Sequence, residues 1–333
     1  MDAGTFTATI VLLVVIALVF DFMNGFHDAA NSIATVVSTG VLKPYQAVIW
    51  AAFFNFVAIL LFELKVAATV GKGIVDPAVV DNHLIFGALI GAISWNVITW
   101  YYGLPSSSSH ALIGGMIGAT IAKAGAGPLL APGIVRTVSF IVVAPLLGML
   151  LSGTIIIAVS WICRRRSQRQ TDRWFRRLQL VSSAMYSIGH GGNDAQKTMG
   201  IIWLLLMTAN LATPQHLPVW VVVACYVAIA LGTLFGGWRI VKTMGQRITK
   251  LRPVGGFAAE TGGAISLFLA TNLGIPVSTT HTITGSIIGV GSAQRVRAVR
   301  WGVAGNIVAA WVLTIPASAL IAAVAWWLGW QFF

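Results

Sequence analysis

Charged residues are scarce in this sequence. Of its 333 residues, only 9% are Asp, Glu, Lys or Arg, whereas 57% are hydrophobic. An ordinary soluble domain carries about 25% charged residues, so this composition excludes a soluble globular protein. Cysteine is also scarce: Cys163 and Cys225 are the two cysteines, and they lie in separate apolar runs. We therefore expect neither a disulfide framework nor a cysteine-ligated metal site.

Long apolar runs replace the missing charge. A helix needs about 20 residues to cross the hydrocarbon core of a bilayer. The first run lacks a basic segment and a small-residue cleavage site, so no signal peptide is expected. The sequence predicts an all-α polytopic membrane protein. Its clearest apolar runs are 5–20, 47–64, 84–102, 138–162, 219–238, 258–273 and 301–330.

The charges that are present are mostly basic and unevenly placed. The formal net charge is +12, and seven arginines crowd the segment 164–177, opposed only by Asp172. A basic run on a soluble domain would suggest nucleic-acid binding. Between apolar spans it fits the positive-inside rule instead, which places this segment in the cytoplasm and predicts no nucleic-acid partner.

Two polar motifs occur twice in the same order. "NGFHDAANSIA" at 24–34 aligns with "HGGNDAQKTMG" at 190–200, at an offset of 166 residues. "GLPSSSSHALIG" at 103–114 aligns with "GIPVSTTHTITG" at 274–285, at an offset of 171. Chance similarity between apolar segments would not match polar residues, so the pattern indicates an internal duplication.

The loop charges predict that the two copies are inverted. The second-half loops after Gly237 and Gly291 carry eight basic residues, against four in their first-half equivalents. Equivalent loops therefore lie on opposite sides of the membrane, with about five crossings per half. We expect two inverted repeats, 1–163 and 178–333, joined by the basic linker 164–177. Broken helices and re-entrant or half helices bring the total to about 10–12 membrane segments.

The first motif carries an acidic residue in each half, Asp28 and Asp194. Glycine and polar residues around them predict a helix break, and a carboxylate within the membrane needs a compensating partner. Lys197 could pair with Asp194 at i, i+3 spacing. A purely structural role for both acids is the alternative. His27 is read equally well as a titrating group or as a neutral hydrogen-bonded histidine.

The second motif predicts the start of a helix in each half. Proline suits the first turn, and Ser or Thr suits the N-cap. Free N–H groups, hydroxyl donors and the positive end of the helix dipole then favour a bound anion. In the alternative reading, the hydroxyls merely cap short helices or bond to their own backbone. Duplication of the whole tract, including His110 and His281, favours the anion site.

The two motifs together predict coupled transport. Carboxylates would repel an oxyanion unless a cation or proton binds at the same time, and this mutual dependence is the physical basis of symport. Glu260 is a third acid inside an apolar segment. By position along the alignment, its first-half counterpart lies near Asn55. Asp21 and Glu63 carry weaker signals.

These residues give the chain a specific resemblance. "GFHDAAN", "GGNDAQK", "PSSSSH" and "PVSTTH" resemble the paired motifs of the inorganic phosphate transporter family, the Pit permeases, across nearly the whole chain. The resemblance, rather than any periodicity, names phosphate as the anion. It implies a symporter of the cell membrane, in bacteria the inner membrane, and a site built from both halves.

The resemblance also implies residue roles. The candidate coupling-ion residues are Asp28, Asp194, Glu260 and His27. No metal site, catalytic residue or cofactor is assigned. The candidate phosphate ligands are Ser107, Ser108, Ser109, Ser278, Thr279, Thr280, Asn31, Asn193 and Lys197.

Departures from the sodium-coupled pattern point to one branch of the family. Sodium-coupled members tend to have Asn-Asp in the first motif and Glu in the following span, where this chain has His27-Asp28 and Asn55. The chain is more similar to the bacterial low-affinity, proton-coupled branch, which takes phosphate as a complex with a divalent metal. We expect H+ as the coupling ion, with Na+ as the alternative.

Two further alternatives stay open. One is a carrier for another oxyanion such as sulfate, which has no proton to donate at neutral pH. The other is an intramembrane enzyme acting on a lipid phosphate, since a Ser–His pair is present in each copy. Catalytic sets are rarely duplicated in symmetric halves, so no enzyme is expected. A homo-oligomer is compatible with the sequence, which does not specify one.

Overall fold

The structure is a computed structural model that describes the backbone of residues 3–332 and the side chains of residues 7–331. The described residues form helices and turns, with two isolated β-bridges and no sheet. The first half contains α1 (Ala3–Ser38), α2 (Pro44–Val57), α3 (Lys65–Gly73), α4 (Asn82–Tyr102), α5 (Ser108–Ala124) and α6 (Ala131–Ile162). The second half contains α7 (Gln168–Thr208), α8 (Val219–Phe235), α9 (Trp238–Lys242), α10 (Pro253–Asn272), α11 (Thr279–Gln294) and α12 (Trp301–Phe332).

Five of these helices are long and apolar enough to cross a membrane. They are α1 from Thr7 onward, α4, α6, α10 and α12 up to Gln331. Two further spans are bent: α2 meets α3 at 82°, and α8 meets the segment that starts with α9 at 62°. Side chains such as Leu150 on α6 and Leu320 on α12 are 65% and 68% exposed, which suits contact with lipid. The predicted all-α polytopic class is confirmed.

Equivalent helices of the two halves run in opposite directions. The end of α1 meets the start of α7, where Arg176 donates to the Gly40 carbonyl at 2.5 Å. On the opposite face, Thr208 at the end of α7 lines a cavity with Asn82 at the start of α4 and Trp330 on α12. Since α1 and α7 are equivalent by sequence, the duplication is inverted.

The later helices follow the same rule. The start of α10 lies on the first face, where Arg252 pairs with Asp172 of α7 at 2.6 Å, whereas the equivalent α4 starts on the second face. The end of α6 also lies on the first face, where Arg164 and Gln294 line one cavity. This face carries the basic segments 164–177, 239–252 and 295–300. The positive-inside rule assigns it to the cytoplasm.

The two halves exchange helices rather than packing as separate bundles. The short helix α5 packs against α4 and against α12 of the other half, while α11 packs against α10 and α6. Both short helices begin inside the protein, because Ser108 and Thr279 are buried, and end near a surface. They are therefore half helices of the kind that the fold class predicts.

The predicted helix break at the first motif is wrong. Both α1 and α7 run without interruption through Asp28 and Asp194. The motif glycines serve close helix packing instead: a Cβ on Gly25 would lie 2.2 Å from the Ile229 carbonyl oxygen, and one on Gly191 would lie 2.4 Å from that of Asn55. The breaks occur elsewhere, within the bent spans and before α5 and α11.

Candidate functional site

The N-termini of α5 and α11 form one wall of the candidate site. Ser107 caps α5 by accepting the His110 backbone N–H at 3.2 Å. Ser278 caps α11 in the same way, accepting the His281 N–H at 3.1 Å. The predicted N-caps are thus confirmed, and they leave the next backbone N–H groups of each helix at a dipole end that favours anions.

The two helix starts lie beside each other. Ser109 donates to the Val277 carbonyl, just before α11, at 3.3 Å. The rings of His110 and His281 are 4.7 Å apart and edge-to-face. Trp311 of α12 stacks on His281 and donates to the Pro105 carbonyl at 3.1 Å. The two Ser/Thr–His tracts therefore contact each other at the starts of α5 and α11, as a two-fold arrangement requires.

The second-half carboxylate accepts hydrogen bonds from two side chains and lies close to a third. Asp194 is fully buried, and its Oδ1 accepts from Lys197 Nζ at 2.5 Å. Its Oδ2 accepts from Thr279 Oγ1 at 3.0 Å and lies 3.3 Å from His190 Nε2. The predicted ion pair between Asp194 and Lys197 is present, and it joins α7 to the start of α11.

Lys197 is more than a partner for Asp194. Its ammonium also donates to the Val277 carbonyl at 2.7 Å and to the Ser109 hydroxyl. The side chain is only 2% exposed. Lys197 therefore links α7 to the starts of both half helices, α5 and α11.

The first-half carboxylate has different surroundings. His27 Nδ1 lies 2.6 Å from Asp28 Oδ1, and His27 Nε2 lies 3.0 Å from Thr99 Oγ1 on α4. Asp28 and His27 are both buried. Here the neighbour is an imidazole rather than a lysine.

Asn31 extends from α1 to the start of α11. Its amide nitrogen donates to Thr279 Oγ1 at 3.1 Å and to Thr280 Oγ1 at 2.9 Å. Ser108, the equivalent of Thr279, is buried, and its hydroxyl oxygen has no hydrogen-bond partner among the described residues. A hydroxyl without a partner at a helix N-terminus remains available to a ligand.

The two carboxylates converge on a third group. Asp28, His190 and Asp194 each offer one ligand atom, and these atoms all lie within 4.8 Å of one another. His190 Nδ1 lies 3.1 Å from the Asn55 amide oxygen, which orients the ring. This buried triad could enclose a cation. His190 was not among the predicted site residues, although its i, i+4 spacing to Asp194 was a signal.

Asn193 holds the chain just before α11. Its amide donates to Thr271 Oγ1 at 2.9 Å and to the Ile275 carbonyl at 3.1 Å, while its oxygen accepts the Val277 N–H at 3.1 Å. All of these contacts are within the protein. The side chain therefore fixes the approach to the half helix.

Glu260 lies apart from the triad, toward the cytoplasmic face. It accepts from Thr35 at 2.6 Å, from Gln179 at 3.0 Å and from Ser182 at 2.5 Å. Thr35 is two helical turns beyond Asp28 on α1. The structure thus brings together the other candidate residues but places Glu260 in a separate polar cluster.

The proposed equivalence of Glu260 and Asn55 is wrong. Glu260 lies on α10, whose counterpart is α4, and the offset of 171 leads to Leu89. Asn55 lies on α2, where its amide donates to Thr233 of α8 at 2.9 Å. Both motif offsets, 166 and 171, place the counterpart of Glu260 on α4, more than 30 residues beyond Asn55, so the alignment itself does not support the equivalence.

Asp21 and Glu63, the two acids with weaker signals in the sequence, have different surroundings in the structure. Asp21 is fully buried on α1, next to Thr198, on the side of Asp28 away from Thr35. Glu63 is 78% exposed and pairs with Lys65 at 2.9 Å. Of these two acids, only Asp21 therefore lies in line with the buried polar residues Asp28 and Thr35 of α1.

Comparison with known proteins agrees with this architecture. The sequence profile described as "Phosphate transporter family" matches residues 24–170 and 163–322. The chain belongs to the phosphate transporter family. It is accordingly a phosphate transporter and a multi-pass protein of the cell membrane, not an enzyme.

Individual relatives cover nearly the whole chain. A probable low-affinity inorganic phosphate transporter of Rhizobium meliloti is 60% identical over 327 residues, which is 98% of each chain. A protein of the same name from Bacillus subtilis is 48% identical over 321 residues, 96% of each chain. A solved structure, "The sodium-dependent phosphate transporter", matches with a TM-score of 0.89 at 25% identity, covering 98% of this chain and 100% of its own.

Proposed function

We propose that this family member is a secondary active symporter that moves inorganic phosphate together with protons. The observation that carries the proposal is the meeting of two half-helix N-termini beside two buried carboxylates. One feature attracts an oxyanion and the other attracts a cation. Each is contributed by both inverted repeats.

The anion would lie between the starts of α5 and α11. Backbone N–H groups and the positive helix ends favour an oxyanion there. The Ser108 hydroxyl is free to donate. The Lys197 ammonium adds positive charge without contacting the anion, because its three N–H groups donate to Asp194, Val277 and Ser109. The proposed phosphate ligands are Ser107, Ser108, Ser109, Ser278, Thr279, Thr280 and Asn31. Asn193 acts by holding the segment before α11.

The geometry of the first-half pair supports proton coupling. His27 Nδ1 lies 2.6 Å from Asp28 Oδ1, and an imidazole beside a carboxylate can share a proton with it. This pair would carry the coupling proton, and Glu260 would be a second acidic group on the way to the cytoplasmic face.

Sodium coupling is the second candidate, and a specific observation favours it. Asp28, His190 and Asp194 converge closely enough to hold a cation, and one solved relative is named a sodium-dependent phosphate transporter. The same triad could contact a divalent metal that travels with phosphate as cargo. We propose no resident metal and no organic cofactor.

Uptake into proteoliposomes tests the coupling ion. Labelled phosphate is supplied with an inward proton gradient in one set and an inward sodium gradient in the other. Accumulation driven by protons alone supports the proposal, whereas accumulation driven by sodium alone overturns it. If neither gradient drives phosphate, the symport mechanism itself fails.

Competition tests the anion. Arsenate resembles phosphate in shape and protonation, whereas sulfate carries no proton at neutral pH. We expect excess arsenate, but not sulfate, to inhibit labelled phosphate uptake. Inhibition by sulfate with equal strength would favour a general oxyanion carrier. Adding and removing Mg2+ in the same assay shows whether a metal complex is the transported form.

A further inference from the structure

Lys197 breaks the two-fold symmetry of the site. Asp194 and its equivalent Asp28 stand at matching positions, but three residues later the second half has Lys197 and the first half has Asn31. Both residues make the same contact across the repeat: Lys197 donates to Ser109, and Asn31 donates to Thr280, the equivalent of Ser109. The difference between them is one positive charge.

The Lys197 ammonium lies in a cage of oxygen atoms. It donates to a carboxylate oxygen of Asp194 at 2.5 Å, to the Val277 carbonyl at 2.7 Å and to the Ser109 hydroxyl. Carboxylate, carbonyl and hydroxyl oxygens are also the ligands of hard cations. The ammonium thus occupies a position that is chemically suited to a bound monovalent cation.

The equivalent first-half position has no fixed charge. Asn31 supplies a neutral amide. Asp28 lies 2.6 Å from His27, an imidazole that can gain or lose a proton. A carboxylate that is buried without a counter-charge is costly. Asp28 must therefore take up a cation or proton from solution, whereas Asp194 carries its counter-charge on the same helix.

We propose that Lys197 is a built-in replacement for one coupling cation, so that each phosphate is accompanied by a single exchangeable cation, bound at Asp28. The inference rests on the proposed symport, but it holds for protons and for sodium alike. It makes Lys197 the residue that sets the coupling ratio. A symmetric pair of aspartates without this lysine would need two cations.

The coupling ratio can be measured from the gradients at which net flux stops. Proteoliposomes are clamped at zero membrane potential, and an outward phosphate gradient is opposed by an inward gradient of the coupling ion. For one cation, a roughly tenfold gradient of the transported phosphate ion is balanced by a roughly tenfold cation gradient; for two, about threefold suffices. We expect the wild type to require the larger gradient.

Lys197→Asn, which introduces the first-half residue, should raise the ratio to two, and the matched variant Lys197→Arg should keep it at one. If Lys197→Asn does not transport, thermal unfolding of the purified protein decides: its midpoint should rise with added coupling cation more steeply than that of Lys197→Arg. A ratio of two in the wild type overturns the inference while leaving symport intact. An unchanged ratio in Lys197→Asn also overturns the inference. If that variant is inactive, the inference is overturned when its thermal midpoint rises with the coupling cation no more steeply than that of Lys197→Arg. Absence of any coupled phosphate flux in the wild type instead contradicts the proposed function.

Discussion

The two carboxylates at the centre of the molecule have the same sequence position in each repeat and different surroundings. Asp194 is bound by Lys197 at 2.5 Å and by Thr279 at 3.0 Å. Asp28 is bound by His27 at 2.6 Å. Duplication supplied two equivalent acids, and substitution of their neighbours gave one a fixed counter-charge and the other an exchangeable one.

This difference shows how an inverted repeat can serve an asymmetric function. The half-helix N-termini remain nearly identical, with Ser107 and Ser278 capping in the same way, because both face the same anion. The residues beside the acids have diverged. We infer that anion binding retains the two-fold symmetry and that cation coupling does not.

The largest effect is expected from Asp28→Asn. The substitution removes the acid whose counter-charge must be exchanged, so gradient-driven phosphate uptake should fall to the level of empty liposomes. Folding should be retained, because His27 can remain as a neutral imidazole. The measurement is labelled uptake at fixed gradient, with elution as a single species as the folding control. Uptake at the wild-type rate would remove Asp28 from coupling.

The next effect separates the two acids by stability. Asp194→Asn leaves the Lys197 ammonium buried without its carboxylate, and breaking such a pair costs about 3–5 kcal/mol. Loss of a single hydrogen bond at Asp28 costs about 1–3 kcal/mol. The thermal midpoint in detergent should therefore fall further for Asp194→Asn than for Asp28→Asn.

A double variant provides the control for this comparison. Asp194→Asn combined with Lys197→Met removes both charges and should recover much of the lost stability. Equal midpoints for Asp194→Asn and Asp28→Asn would mean that the two acids have equivalent surroundings, contrary to the comparison.

A smaller effect is expected from the hydroxyls of the half helices. Ser108→Ala and Thr279→Ala should each raise the phosphate concentration for half-maximal uptake by about tenfold or more, since a hydrogen bond to a charged group contributes about 1.5–3 kcal/mol. Thr279→Ala should have the larger effect, because Thr279 also contacts Asp194 and Asn31.

Ser266→Ala is the matched control for these variants. Its hydroxyl is buried on α10 and donates to the Gly262 carbonyl of the same helix at 2.9 Å, away from the site. The half-saturation concentration should stay unchanged in this variant. If Ser108→Ala behaves like Ser266→Ala, the Ser108 hydroxyl does not bind phosphate.

The smallest effect is expected from Glu260→Gln. Glu260 accepts three hydrogen bonds in a cluster that has no counterpart around Leu89. An amide nitrogen in place of one oxygen loses at least one of them, at a cost of about 1–3 kcal/mol. If this cost falls on the rate-limiting step, the maximal uptake rate should fall by about tenfold, with half-saturation by phosphate unchanged.

The half-buried acid Asp172, on the same face, provides the comparison for Glu260. Asp172→Asn breaks only a surface pair, which contributes about 1 kcal/mol or less, and should leave uptake near the wild-type rate. A shift in phosphate half-saturation for Glu260→Gln would instead place Glu260 in contact with the anion.

The sequence predicted those features that depend on local spacing. The N-caps at Ser107 and Ser278 follow from the Pro–Ser/Thr tracts, and the pairing of Asp194 with Lys197 follows from their i, i+3 separation. The loop charges predicted the inversion. Each of these signals lies within a few residues or in the sum of charges over a loop.

The sequence could not predict what depends on which helix faces meet. Glycine at 25 and 191 is compatible with either a helix break or close packing, and only the approach of Ile229 and Asn55 decides for packing. The cluster around Glu260 needs α1, α7 and α10 together. His190 joins the two acids because α1 packs against α7.

The most direct test is a structure of the purified protein with arsenate, located by the anomalous signal of arsenic. We predict one peak between the starts of α5 and α11, within hydrogen-bonding distance of Ser108 and Thr279. Its position should lie close to Lys197 and adjacent to Asp28. A peak elsewhere in the protein, with the space between the half helices unoccupied, would contradict the account.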